Sequence, residues 1–222
     1  MTDRAIYKVL SILSQLQFDE DNPSIHRLKR SLECGEWESA YKKWQQTGNF
    51  GSEEQFFLWL VEWLQIKIDE NGVKYKRIIA TGDLAVIGLT YNCKSNVVIP
   101  PTYDGITVSE IDSDAFYSGI NVKSIALPNT IKKLGDNCFC FCRSLTNIVI
   151  PPSVMYIGNE CFRHCKNLQL INIPISVKYV GAAAFGYCEK LYIFCEAQTQ
   201  PIKWNKYWNE SNCKVFWGVS KS

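Results

Sequence analysis

Ten cysteines and two histidines are the residues of this 222-residue chain best suited to chemistry. Cys138, Cys140 and Cys142 alternate along the chain, and His164 stands between Cys161 and Cys165. Thiolate and imidazole are zinc ligands, but these positions match the spacing of no standard finger, so no metal site is expected. A disulfide framework is the habit of small secreted domains and is the other reading of so many cysteines. Nucleophilic catalysis has less to stand on. Neither His26 nor His164 has a carboxylate and a nucleophile at recognisable spacing. There is no phosphate-cradling glycine loop, HExxH segment or paired-carboxylate signature. The chain is expected to be no enzyme and to need no cofactor.

The elements that hold these residues explain the cysteines better. Ile125–Leu145, Ile148–Leu168 and Ile171–Leu191 can be written under one another. Pro128, Pro151 and Pro174 then align, as do Gly135, Gly158 and Gly181, Phe139, Phe162 and Phe185, and Leu145, Leu168 and Leu191. The step is constant, 151 − 128 = 174 − 151 = 23 residues, and a fixed period of this size marks stacked repeats. Cys142, Cys165 and Cys188 share one position of the unit, so they are expected to stack as small buried hydrophobes and remain reduced. Cys138 and Cys161 share another, which Ala115 and Ala184 fill elsewhere, the behaviour of a small packing site.

Each unit reads as two short strands. Ile148–Ile150 alternates apolar side chains and stops at a proline, which cannot donate to a ladder. Val154–Ile157 is the second, ahead of Gly158, which permits a tight turn. A short segment carrying Phe162 and Cys165 completes the unit. No such unit buries its apolar face alone, so stability must come from stacking. The segments Leu145–Pro151, Val154–Gly158 and Cys161–Cys165 together resemble the BspA-type leucine-rich repeat family, over roughly residues 73–218. The resemblance implies a right-handed solenoid that binds proteins or cell surfaces without catalysis. It also implies a closing segment rich in Trp and Asn.

Charge divides the chain. Residues 1–70 hold 8 Lys/Arg and 12 Asp/Glu, or −4, leaving 16 and 10, or +6, in residues 71–222. Apolar periodicity over residues 3–17, 24–34, 37–46 and 52–68 predicts amphipathic helices, with Ser52 and Gln55 forming a capping box. The expected fold class is therefore α+β: an N-terminal α-helical bundle, residues 1–70, followed by a short leucine-rich-repeat solenoid, residues 71–222. Within the solenoid, a hairpin of strands Val73–Ile79 and Leu84–Leu89 forms an N-cap over 71–97. Repeats follow over 98–191, with an insertion at Tyr103–Gly105, and an aromatic C-cap over 192–222. No secretory signal is legible and no apolar run is long enough to span a membrane, which together favour the cytoplasm.

What remains for function is the outward surface. Ser124, Ala126, Asn147, Val149, Leu170 and Asn172 flank the inward positions of the first strand and carry no charge. Beside the second strand run two rows, Lys132, Met155, Lys178 and Lys133, Tyr156, Tyr179. Lys132, Lys133, Met155, Tyr156, Lys178 and Tyr179, with Asn147 and Asn172, are the expected partner-binding residues. Aromatics and Met favour protein contact, which points to an intracellular protein–protein interaction module of adaptor or inhibitor type. The alternative uses the basic solenoid to bind nucleic acid or ribonucleoprotein, Lys meeting phosphate and Tyr stacking on bases.

Overall fold

The computed structural model describes residues 67–78, 80–90 and 94–219. Among these, the chain opens with β1 (Lys67–Ile68), β2 (Val73–Arg77) and β3 (Leu84–Leu89), then β4 (Asn96–Val98), β5 (Thr102–Tyr103) and β6 (Ile106–Ile111). The repeats supply β7 (Ser124–Ala126) and β8 (Lys133–Leu134), β9 (Asn147–Ile148) and β10 (Tyr156–Ile157), and β11 (Leu170–Ile173) and β12 (Tyr179–Val180). Two longer strands close the chain, β13 (Tyr192–Cys195) and β14 (Lys214–Trp217).

The described residues contain no helix, so the fold class is all-β, a β-solenoid, and the expected α+β class is corrected. No N-terminal helical bundle is seen among them, and residues 1–66 lie outside the description. Where the last expected helix reaches the described residues, at Lys67–Ile68, the backbone is a strand. The reason is Asp69, whose Oδ1 accepts from Asn71 N and Val73 N, both at 2.9 Å, while Tyr75 Oη donates to its Oδ2 at 2.8 Å. An Asp that bonds neighbouring backbone in this way favours a turn over a helix.

By its contacts the chain falls into two compact units, one holding residues 1–67 and 76–83, the other 68–75 and 84–222. In the first, the described residues form a turn in which Asp83 O accepts from Ile78 N at 2.8 Å and Gly82 O from Arg77 Nη1 at 2.8 Å. The second is the solenoid. Its second strands lie in one sheet in the order β3-β6-β8-β10-β12, and its first strands in two three-stranded sheets, β4-β7-β9 and β11-β13-β14. Registers step by one repeat: Tyr156 pairs with Lys133 on one side and Tyr179 on the other, all parallel. The insertion at Tyr103–Gly105 is the antiparallel turn of β5 on β6, with Asp104 and Gly105 both at positive φ.

The third wall of each coil is neither strand nor helix. Its backbone alternates, with Asp114, Asn137, Glu160 and Ala183 at φ 59, 55, 52 and 49°, and Ser118, Phe141, His164 and Tyr187 at 58, 59, 60 and 58°. The alternation turns peptide N–H groups toward the next coil. Phe116 N, Phe139 N and Phe162 N donate to Cys138 O, Cys161 O and Ala184 O, each at 2.8 Å. Ser118 N, Phe141 N and His164 N donate likewise to Cys140 O, Arg163 O and Gly186 O at 2.8 Å. A buried backbone group needs a partner, and here the neighbouring coil provides it without helix or strand.

The core is a set of ladders. Phe116, Phe139, Phe162 and Phe185 stack in sequence at 5.2, 5.2 and 5.4 Å. Cys142, Cys165 and Cys188 donate Sγ–H to Phe116 O, Phe139 O and Phe162 O at 3.0, 3.2 and 3.0 Å. The position takes a small residue, Gly119 in the coil before, and cysteine there also donates to the backbone. Gly158 is not glycine for the sake of a left-handed backbone, for its φ is not positive. A Cβ there would stand 2.5 Å from Asp136 N and 2.6 Å from Gly135 C of the preceding coil. Gly135 and Gly181 would meet Ser113 N and Asn159 N, the equivalent backbone of their own preceding coils, at 2.4 Å, so the column is glycine because the coils touch there.

The last turn departs from the repeat. Trp204 and Trp208 are buried, Trp208 meeting Phe185 edge-on at 5.8 Å. Tyr207 O accepts from Ala183 N at 2.9 Å and Trp208 O from Phe185 N at 3.2 Å, which continues the third wall beyond the last regular coil.

Candidate functional site

The solenoid presents three surfaces, and the expected binding residues fall on two of them. Lys133, Tyr156 and Tyr179 form one row beside the second strands, with Glu110 pairing with Lys133 at its start. Their side chains engage one another. Lys133 Nζ lies 3.6 Å from Glu110 Oε2 and 5.9 Å from the centroid of the Tyr156 ring. Tyr156 and Tyr179 stack at 4.6 Å, 7° from parallel. Burial, Asp136 and Tyr179 together raise the Tyr156 phenol above its usual value. Beside this row Lys132, Met155 and Lys178 are exposed, and Lys178 Nζ donates to Ile175 O at 3.3 Å.

Asn147 and Asn172 lie elsewhere, on the outward face of the first strands. Asn147 is in register with Ser124 and, through it, Asn96, while Leu170, Tyr192 and Lys214 hold the equivalent position of the other three-stranded sheet. Asn172 is in register with Phe194 and Phe216, Val98 with Ala126 in the other sheet, and Val149 stands 23 residues before Asn172, just after β9. Asn147 and Asn172 thus lie on a different face from the six residues beside the second strands. Of these twelve positions only Lys214 is charged, and it sits 5.8 Å from the Tyr192 ring. Val98, Val149, Leu170, Tyr192 and Phe216 are all more than two-fifths exposed. Gln169, Leu170, Lys190 and Tyr192 line a shallow cavity of about 470 Å³ at one margin. Phe194 and Phe216 stack at 4.8 Å at the aromatic end of the face.

Sequence reasoning missed the third surface. The left-handed residues of the outer wall point their rings outward into a column. Phe141 stacks on His164 and His164 on Tyr187, both at 4.4 Å. His164, considered above with the cysteines as a ligand, is thus placed among aromatic rings. Burial lowers its pKa, and so do Arg163, Lys166 and Arg143. The signal in the sequence is the column Ser118, Phe141, His164, Tyr187 at 23-residue spacing, whose last three residues are all aromatic.

The cysteines of the repeats sit inward. Cys138 Sγ and Cys161 Sγ are 3.4 Å apart and fully buried. Burial pushes the Cys142 and Cys188 thiols up to about 12 and Cys140 to about 11. Thiols held in that state are poor nucleophiles and poor metal ligands. Among the described residues no group of three or more His, Cys, Asp or Glu is arranged to hold a metal ion. No helix among them is long and apolar enough to cross a membrane.

No curated protein gives a significant match to the chain. Several solved structures are similar in fold. A leucine-rich repeat protein of Bacteroides capillosus is 19% identical with a TM-score of 0.49, covering 57% of this chain and 96% of that one. A leucine-rich repeat protein of T. pallidum is 24% identical with a TM-score of 0.48, covering 58% and 71%. A leucine-rich cell surface protein of Faecalibacterium prausnitzii is 20% identical with a TM-score of 0.42, covering 69% and 55%. The BspA type leucine-rich repeat region, in six copies, matches residues 91–214, which is more than half of the sequence and takes in all the regular coils. The chain belongs to the BspA-type leucine-rich repeat family.

Proposed function

We propose that this chain is a non-enzymatic protein-interaction module, of adaptor or inhibitor type, that receives its partner on the outward face of the first strands. The observation that carries the reading is the near absence of charge there: twelve outward positions hold one lysine and no acid. Depletion of charge with enrichment in aromatics is the compositional mark of an interface core, and contiguous exposed apolar surface marks interaction sites. The Lys/Tyr/Met face is the weaker candidate, because Tyr156 and Tyr179 already satisfy each other and Glu110 engages Lys133. The cytoplasm is the compartment we propose, since the buried cysteines pack and donate as thiols, the form that reducing compartments keep.

The test is affinity capture from the native cell with three full-length proteins. Val149→Lys with Tyr192→Lys should abolish recovery of the specific partner, with the melting temperature nearly unchanged. Tyr156→Ala with Tyr179→Ala should leave recovery intact. The opposite pattern would move the site to the second-strand face, and loss in neither pair would remove it from both.

A further inference from the structure

The outer wall of the coils carries a column of rings for which neither the fold nor the proposed binding face has a use. We infer that this wall is a second recognition site, for an acidic extended peptide, built on Phe141, His164, Arg143 and Lys166.

The rings are not there for the backbone. Ser118, Phe141, His164 and Tyr187 hold the same conformation, φ 58 to 60°, so the wall closes equally well on a serine. Nor do the rings fill the core, which the Phe116–Phe185 ladder occupies on the inward side. Phe141 and His164 are half-buried, and Tyr117 and Tyr187 are 51% and 44% exposed.

Beside Phe141 and His164 the charge is basic, whereas at the Tyr187 end Glu210 Oε2 would lie 3.3 Å from a Cβ at Gly186. Arg143 and Lys166 occupy one position of adjacent coils, 23 residues apart, and both are exposed. The Arg143 guanidinium stands 5.6 Å from the Phe141 centroid. Arg163 stands 4.9 Å from that of Tyr187. Glu160 is paired with Arg163, Oε2 to Nη1 at 2.7 Å. Arg143 and Lys166 have no carboxylate partner among the described residues. Glu189 follows Lys166 at the next coil and reverses the sign, which limits the basic strip to two coils.

Ring geometry selects the partner. Phe141, His164 and Tyr187 stack face to face at interplanar angles of 20 and 14°, so their faces are occupied and their edges look out. A nucleobase needs an open ring face. A carboxylate suits the edge, which is the positive part of an aromatic quadrupole. Carboxylates two residues apart in an extended peptide are spaced at roughly 6.6–6.8 Å, with the intervening side chains pointing away. Two such groups can reach Arg143 and Lys166 together across the edges of Phe141 and His164.

The probe is fluorescein-labelled hexaglutamate, titrated with the full-length protein at low ionic strength and followed by anisotropy. Saturable binding is expected. Arg143→Glu with Lys166→Glu should weaken it by about tenfold or more, the free-energy equivalent of two modest ion pairs. Arg143→Gln with Lys166→Gln should weaken it less, and remains informative if the reversed pair folds poorly. Phe141→Ser with His164→Ser, borrowing the residue already present at Ser118, should weaken it without changing the net positive charge of the strip. Val149→Lys with Tyr192→Lys should leave it unchanged, which separates this site from the first-strand face. Affinity unmoved by both Arg143/Lys166 variants would overturn the inference. So would tighter binding of an oligodeoxythymidylate of equal charge.

Discussion

Replacing Phe162 by Ala should be among the most costly single changes the solenoid can suffer. The ring is fully buried and lies between Phe139 at 5.2 Å and Phe185 at 5.4 Å, nearly parallel to both. Buried Phe→Ala changes cost about 3–5 kcal/mol, depending on how far the site collapses. Collapse is hindered here, because Cys161 O and Phe162 N are tied at 2.8 Å to the coils on either side. Two ring contacts are lost as well, each worth roughly 0.5–1.5 kcal/mol beyond buried area. The expected cost is therefore at the upper end, about 5 kcal/mol. Phe116→Ala loses one stack and should cost about 3 kcal/mol. Domains are stable by only about 5–15 kcal/mol, so the difference is measurable. Urea unfolding followed by far-ultraviolet circular dichroism gives both values, provided the slope is unchanged. A cost below about 2 kcal/mol for Phe162→Ala, or a larger cost at Phe116, would show that the ladder does not hold the coils together.

Three further outcomes are expected. Gly158→Ala places a Cβ 2.5 Å from Asp136 N, so the coils must separate; a loss of about 1–3 kcal/mol is expected, and an unchanged melt would refute the close approach. The Cys142 and Cys188 thiols are raised from 9.0 to about 12, so above pH about 9 the unfolded chain releases protons the folded chain keeps, and stability falls by up to about 1.4 kcal/mol per pH unit per thiol. Urea midpoints should hold level up to pH about 8 and drop steeply beyond about 9; a flat profile to pH about 10.5 would contradict burial as the cause. Deleting residues 201–222 removes buried Trp204 and Trp208 and the oxygens that receive Ala183 N and Phe185 N. Aggregation or loss of cooperative melting should follow, and a monomer melting as before would make the segment dispensable.

The repeat was legible because its constraints recur. Phe139, Phe162 and Phe185, or Gly135, Gly158 and Gly181, each answer one packing demand at one spacing, and three instances separate signal from chance. The cause of the glycines was not legible, since contact with the coil before looks in sequence like a turn. The α+β class failed at Lys67–Ile68, where apolar periodicity favours helix and the hydrogen bonds of Asp69 favour a turn. The outward rows were legible as rows, and their division between first and second strands followed from the two apolar stretches of each unit. The outer wall was hidden most completely. Left-handed backbone is usually announced by Gly or Asn, and here Phe141, His164 and Tyr187 adopt it because bonds to the next coil hold them there.

Those bonds have a direction. On the outer wall, earlier coils donate and later coils accept, from Asp114 N to Asp136 O onward to Phe185 N and Trp208 O. Each peptide unit has a dipole of about 3.5 D, and a file of them aligned in this sense has its positive pole at the C-terminal end, the reverse of an α-helix. Without the last turn, the wall would end in bare N–H groups. Tyr207 O, Trp208 O and Ser211 Oγ receive Ala183 N, Phe185 N and Tyr187 N. The closing segment is thus an electrical terminus as well as an apolar lid, and any sequence grafted in its place must supply acceptors at those three points.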